Sequence, residues 1–442
     1  MTSRVFVDHS ALPACAPPPC ARRRTLCASR AAFLAWATVS ILVLSTAGCA
    51  APQRHAVPKE FVSAATPIGM SNVRDFADRF SPALQQSVVE SVRQARAASP
   101  RGTLDETGAA NVLALSGGGA NGAFGAGFLC GWSAAGTRPT FKLVTGISTG
   151  AMIAPFAFLG PQYDATLRQA FTAITTKDVY REKSLLEILF DFQSLADSTP
   201  LANLIARQVD GQVLAAIAEQ HRRGRRLFMG TTNLDAGRLV IWDMGAIAAS
   251  GRPEALELFR KVMLASASIP IAFPPVRFDV EADGQRYDEL HVDGGVVVEV
   301  FFYGSALDLD AARRDAGVTE HIPIRLYVIR NGQLAVAWQV IMPRLRPIAE
   351  RTINGLIGAQ VVGDLYYIYT IAKHDGIDFN LAYIPDDFVP ASKEYFDPCE
   401  MKRLFELGYE SARAGYEWQK VPPGLPKSTE ESDLRGTPEP VK

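Results

Sequence analysis

The segment Gly146-Ile147-Ser148-Thr149-Gly150 sets one serine between two glycines. A serine hydroxyl is a weak nucleophile until a base removes its proton. The G-x-S-x-G spacing suits a sharp strand-to-helix turn that pushes the hydroxyl outward. The flanks agree with that context. The apolar run Phe141 to Thr145 reads as a strand, and a helix is expected from about Ala151. The positive end of that helix would favour negative charge developing beside Ser148.

A second segment, Ser116-Gly117-Gly118-Gly119-Ala120-Asn121-Gly122, follows the apolar run Val112 to Leu115. It matches the dinucleotide spacing G-x-G-x-x-G, which needs an acidic residue about 20 residues on to hold a ribose. Arg138 and Lys142 flank and enter the next strand instead, so that reading fails. A phosphate-binding loop would end in Gly-Lys-Ser/Thr, and Asn121-Gly122-Ala123 supplies neither lysine nor hydroxyl. Two readings stay open from the loop alone. One is an oxyanion hole, in which Gly117, Gly118 and Gly119 aim backbone N–H groups at one point. The other is a plain strand-to-helix turn. The nucleophile motif downstream favours the first.

Ser148 needs a base. In the hydrolase order Ser, Asp, His, the histidine comes last, which leaves His321 and His374. His374 lies in Lys373-His374-Asp375-Gly376, which reads as an exposed turn. The competing base is Asp293, in His291-Val292-Asp293-Gly294-Gly295, where a short apolar lead-in meets a glycine turn. On a strand His291 would share the face of Asp293, either tuning it or serving as a satisfied structural histidine.

These residues resemble the patatin-like phospholipase family, whose members use a Ser-Asp dyad, a G-G-G-x-x-G loop, G-x-S-x-G and D-G-G/A in that order. The Ser- and Pro-rich stretch Ala265 to Pro275 also looks like the family's segment ahead of the aspartate. The resemblance covers roughly Asn111 to Val300. It implies a three-layer α/β/α fold with a mainly parallel sheet, Ser148 and Asp293 as the catalytic pair, an oxyanion loop at Gly117 to Gly119, and supporting glycines at 122, 146, 150, 294 and 295. It further implies an acyl-ester lipid such as a phospholipid as substrate. Asn121 departs from the family, where many members carry Arg or Lys. The alternatives are a triad esterase using His374, or a lipid-binding or scaffolding lipoprotein without catalysis.

The remaining chain must position these groups. Apolar runs bounded by glycine alternate with helical stretches from Asn111 on, which argues for α/β layers. The runs Arg226 to Thr232 and Leu239 to Trp242 flank Asn233 to Gly237 and could instead form a hairpin. Ser81-Pro82 reads as a helix start. The basic run His221 to Arg226 reads as a helix end at Gly224 with arginines at the negative dipole end, or as a contact for anionic headgroups. The stretch Ile348 to Ala372, rich in apolar and aromatic residues, reads as core or interface packing.

Arg22, Arg23, Arg24 and Arg30 precede the apolar run Ala31 to Ala47, the layout of a secretory signal. Thr46-Ala47-Gly48-Cys49 looks like a bacterial lipobox with Cys49 as the lipidated residue, which implies anchorage in the cell envelope and favours the outer membrane of a Gram-negative bacterium; a periplasmic or secreted protein is the alternative. The organisation expected is a leader at 1–49, a linker and helical extension at 50–110, the catalytic core at 111–300, a C-terminal extension at 301–421 packed on it, and a disordered tail at 422–442. Cys130 and Cys399 are expected as buried thiols. With 45 basic and 46 acidic residues the chain has a formal net charge of −1, so no global field gathers nucleic acid. No metal-binding spacing appears in the sequence, and no cofactor is expected.

Overall fold

The computed structural model describes residues 54–98, 108–184, 187, 194–335, 338–392 and 394–425. The chain divides into two units, Met1–Arg54 and His55–Lys442, and every element below belongs to the second. The leader, Cys49 and the tail from residue 426 lie outside the described residues.

Strand β3 (Ala110–Leu115) shows why the fold is layered. Successive side chains of a strand point to opposite faces, and here both faces are apolar. Leu113 and Leu115 join one buried cluster, while Val112 and Ala114 join another. A strand buried on both sides needs helices over each face. The helices Gly122–Ala134, Thr149–Leu159, Ala255–Ser266 and Pro398–Arg413 cover the first. Leu84 of helix Pro82–Ala98 and Val361, Leu365, Ile368 and Ala372 of helix Leu345–His374 cover the second. The expected three layers are present. Helix Pro82–Ala98 begins as read, with the Ser81 hydroxyl accepting the Leu84 N–H at 3.2 Å.

Five strands run parallel as neighbours: β7 (Arg226–Asn233), β4 (Leu143–Gly146), β3, β11 (Ile324–Arg330) and β12 (Asp378–Tyr383). The hairpin alternative is the one observed, because β8 (Arg238–Asp243) folds back antiparallel on β7. β2 (Arg74–Phe76) pairs with β8. Beyond β7 the sheet continues antiparallel through β10 (Gln285–Asp293), β9 (Val276–Ala282) and β1 (Thr66–Pro67). The short β5 (Arg181–Glu182) and β6 (Ala196–Asp197) pair separately.

The segmentation expected from sequence differs from this. Residues 301–421, expected as an extension packed on the core, supply β11 and β12 to the central sheet itself. Residues 50–110 likewise contribute β1 and β2. A strand with a short apolar pattern does not announce its neighbours, and both pairings span long sequence separations. Cys130 is buried as expected, whereas Cys399 is exposed, and no disulfide joins them.

Candidate active site

Ser148 follows β4 by one residue, Ile147, and stands at the N-cap of helix Thr149–Leu159, with φ 54° and ψ −124°. A positive φ at a non-glycine residue costs on the order of 1–3 kcal/mol and persists only where its surroundings impose it. They do so here. A side chain at Gly146 would come 2.5 Å from Gly150 O, and one at Gly150 would come 2.4 Å from Leu115 O. At Gly122 it would meet Thr149 Oγ1 at 2.1 Å. The turn therefore closes only with these three glycines. Ser266 holds it from the side, accepting the Ser148 N–H at 3.0 Å and donating its hydroxyl to Gly230 O at 2.7 Å.

The sheet then brings Asp293 to Ser148. β4 and β10 approach the same edge of β7 from opposite ends: Gly146 pairs with Met229, and Asp293 pairs with Thr231. Gly230 lies between them. The Ser148 turn and the Asp293 turn thus leave two strands head to head, with the Ser148 hydroxyl near enough to the Asp293 carboxyl to favour its charged form. The Asp293 N–H donates to Ser268 O at 2.9 Å, and its Oδ1 accepts the Gly295 N–H at 2.8 Å. Gly294 packs so close that a side chain there would lie 2.8 Å from Gly230 O. Both catalytic candidates are buried, Ser148 at 7% and Asp293 at 5% exposure. Burial pushes the Asp293 carboxyl up to about 7, helped by the nearby Glu299 charge and opposed by the Ser148 and Gly295 hydrogen bonds. A base with a proton affinity near neutrality suits general-base work.

The glycine loop lies alongside. Gly118 has φ 153° and Gly119 φ 56°, and a side chain at Gly118 would sit 2.0 Å from Asn331 O. No hydrogen-bond partner holds the N–H of Gly118 or Gly119 among the described residues. Gly117 differs from the expectation that all three are donors, because its N–H is committed to Glu299 O at 3.0 Å. Asn121 is exposed, in a 3₁₀ turn after the loop.

The loop's anchors are not legible in the sequence. Asn331 donates its N–H to Ser116 Oγ and its side-chain amide to Ser116 O, both at 2.8 Å, and its Oδ1 accepts the Gly125 N–H at 3.1 Å. Arg330 donates to Gly117 O at 3.0 Å. Their one signal is a polar pair closing the mostly apolar strand β11. Glu299 carries no motif signal either; it lies six residues past Asp293, buried, with Oε2 3.5 Å from Arg330 Nη1 and without a hydrogen bond.

Other candidates fall elsewhere. His374 and His321 line a cavity of about 1040 Å³ together with Ala110, Leu143, Arg226 and Ile324, which mark the starts of the parallel strands. Ser148 follows the opposite end of β4, so the triad alternative is not assembled. The His374 side chain is 85% exposed and meets Asp375 at 2.6 Å. His291 is the satisfied structural histidine, bonded to Thr231 at 2.8 Å and Glu289 at 3.0 Å, and burial lowers its pKa. In the basic run, Arg225 and Arg226 turn inward to the carbonyls of Phe141, Phe158 and Ser87. Arg222 and Arg223 pair with Glu219. Arg225 and Arg226 are thus buried, while Arg222 and Arg223 keep exposed guanidiniums.

A cavity of about 310 Å³ is lined by Val297, Val298, Val300 and Ile368 together with Arg238 and Asp364, and neither Ser148 nor Asp293 lines it. Among the described residues no His/Cys/Asp/Glu group could hold a metal ion, and no helix is long and apolar enough to cross a membrane.

An α/β fold with a serine on a strand-to-helix turn, facing a buried carboxyl beside a glycine loop, defines a class of acyl hydrolases. Residues 113–302 match the family model of the patatin-like phospholipases, and the chain carries a patatin-like phospholipase domain, a lipid acyl hydrolase in the general sense. No curated protein matches the chain. Among solved structures, VipD from Legionella pneumophila is similar over 70% of this chain and 68% of its own, at 12% identity and a TM-score of 0.30.

Proposed function

We propose that this protein hydrolyses carboxylic acyl esters of lipids through a Ser148 acyl-enzyme, with Asp293 as the base. The meeting of Ser148 and the buried Asp293 carboxyl, at the ends of two strands that face each other on β7, carries this reading. Ionised Asp293 takes the hydroxyl proton as Ser148 Oγ forms its bond to the ester carbonyl carbon. The carbonyl oxygen becomes an oxyanion, accepting hydrogen bonds from the free N–H groups of Gly118 and Gly119. Collapse breaks the bond to the alcohol, which leaves with the proton from Asp293. Asp293 then takes a proton from water as the hydroxide attacks the acyl-enzyme, and Ser148 regains that proton on release of the fatty acid. Removing one oxyanion donor costs about 10²–10³ in rate and general-base assistance is worth about 10²–10⁴, so loop and dyad matter comparably.

Cys49 is proposed as the acyl-anchored first residue of the mature chain, holding the domain at the cell envelope and, by resemblance to Gram-negative lipoproteins, at the outer membrane. Loss of labelled-palmitate incorporation in Cys49→Ala is the expected check; equal labelling of both proteins would overturn it.

Fatty-acid release from phospholipid vesicles and hydrolysis of a short-chain acyl ester are the tests, using the full chain beside Ser148→Ala and Asp293→Asn. Release from vesicles by the wild type alone supports a dyad lipid hydrolase. Cleavage of the short ester only points to an esterase with another natural substrate. Wild-type turnover no faster than that of Ser148→Ala on both sinks the catalytic reading and favours a scaffolding lipoprotein.

A further inference from the structure

Glu299 occupies a place that no motif assigns. A side chain added at Gly117 would lie 2.5 Å from Glu299 Oε2 and 3.3 Å from Ser148 Cβ. One added at Gly295 would lie 2.5 Å from Glu299 Oε1 and 3.1 Å from Asp293 Oδ1. The carboxyl thus fills the gap that two missing side chains leave, one in the glycine loop and one in the base turn, and is a single side chain's width from both members of the dyad. Its backbone is tied on both sides: Glu299 O accepts the Gly117 N–H, and its N–H donates to Asp364 Oδ2 at 2.7 Å. The side chain is 8% exposed, and Oε2 has no hydrogen-bond partner, with Arg330 Nη1 at 3.5 Å.

The charged and titratable groups coupled to this carboxyl come from each neighbouring segment. They are Asp293 from the β10 turn, Arg330 from the end of β11, Asp364 from helix Leu345–His374 and Tyr395 from the segment before helix Pro398–Arg413. Arg330 faces Glu299 and Asp364, while Asp293 faces Glu299 with no guanidinium of its own, so the three buried carboxyls cannot all ionise together without cost. Burial raises Glu299, and Arg330 opposes that rise. Burial pushes Asp364 up to about 7. In such a coupled group the protons leave in steps, and the charge of ionised Glu299 faces Asp293 and makes its carboxyl harder to ionise.

We propose that Glu299 is a positioning residue for the base: its carboxylate, seated between Gly117 and Gly295, sets the pH range over which Asp293 can accept the Ser148 proton. This rests on the dyad proposed above. A neutral amide of the same shape keeps the packing and removes the charge. The acidic limb of kcat/KM therefore moves to lower pH in Glu299→Gln.

The test is the pH profile of short-ester hydrolysis by the full chain, for wild type, Glu299→Gln, Glu299→Asn and Glu299→Asp. Both amides are expected to move the acidic limb down by about one pH unit, so that well below it each retains about ten times more of its own plateau rate than the wild type does. Asp keeps the charge and keeps the limb near the wild-type position. Should the Gln variant fail to fold by circular dichroism, the Asn variant carries the comparison. A limb that stays put, or a rate lowered evenly at every pH, overturns the inference and leaves the dyad standing. If Ser148→Ala matches the wild type, the dyad itself fails and this role falls with it.

Discussion

Replacing Asp293 by asparagine separates the demands of catalysis from those of folding. Asp293 is buried, and its carboxyl is raised from an ordinary 3.8 to about 7. An acid with a raised folded pKa binds its proton more tightly in the native state, so the stability it contributes is complete below the unfolded value. That stability is lost as pH rises through about 7. Each unit is worth about 1.4 kcal/mol, so ionised Asp293 burdens the native state by about 4 kcal/mol at pH 8. Asparagine removes the ionisation and keeps an oxygen to accept the Gly295 N–H. The stability of Asp293→Asn relative to wild type should therefore grow by about 3 kcal/mol between pH 5 and pH 8, while hydrolysis falls by about 10²–10⁴. Urea unfolding of both proteins at pH 5, 6.5 and 8 measures the difference. A gap that does not change with pH would refute the reasoning, since the carboxyl would then ionise as easily in the folded chain as in the unfolded one.

Three further outcomes are expected. Ser266→Ala leaves the Ser148 N–H and Gly230 O unpaired in a buried turn, costing about 1–3 kcal/mol by denaturant unfolding, with kcat lowered about tenfold for each 1.4 kcal/mol of the loss that is felt in the transition state. Gly118→Ala places a carbon where Asn331 O already lies at 2.0 Å, and ester hydrolysis should drop by at least about 10² together with a lower melting temperature. His374→Ala leaves kcat/KM unchanged, because that side chain is exposed at the opposite end of the sheet; a large loss would revive the triad.

Much of the chemistry is legible in the order of residues alone. G-x-S-x-G after an apolar run, a glycine loop with neither a ribose acid nor a phosphate-binding lysine, and an aspartate at a glycine turn are local patterns. Local patterns report what the backbone must do within a few residues. The turn at Ser148 and the helix start at Ser81 are of this kind, as is the two-faced apolar character of β3.

The contributions of Ser266, Asn331, Arg330 and Glu299 are of another kind. Each acts across a contact set by strand order, and strand order depends on pairings between residues far apart in sequence. Ser148 and Asp293 can be named from their motifs, but their meeting depends on β4 and β10 ending head to head on β7 at Gly230. The proton affinity of Asp293 likewise comes from burial and from Glu299, neither of which a linear pattern contains. Residue order names the groups able to react. Which of them face each other, which N–H groups remain free and how readily Asp293 ionises follow from packing, because desolvation and charge proximity exist only once distant segments have come together.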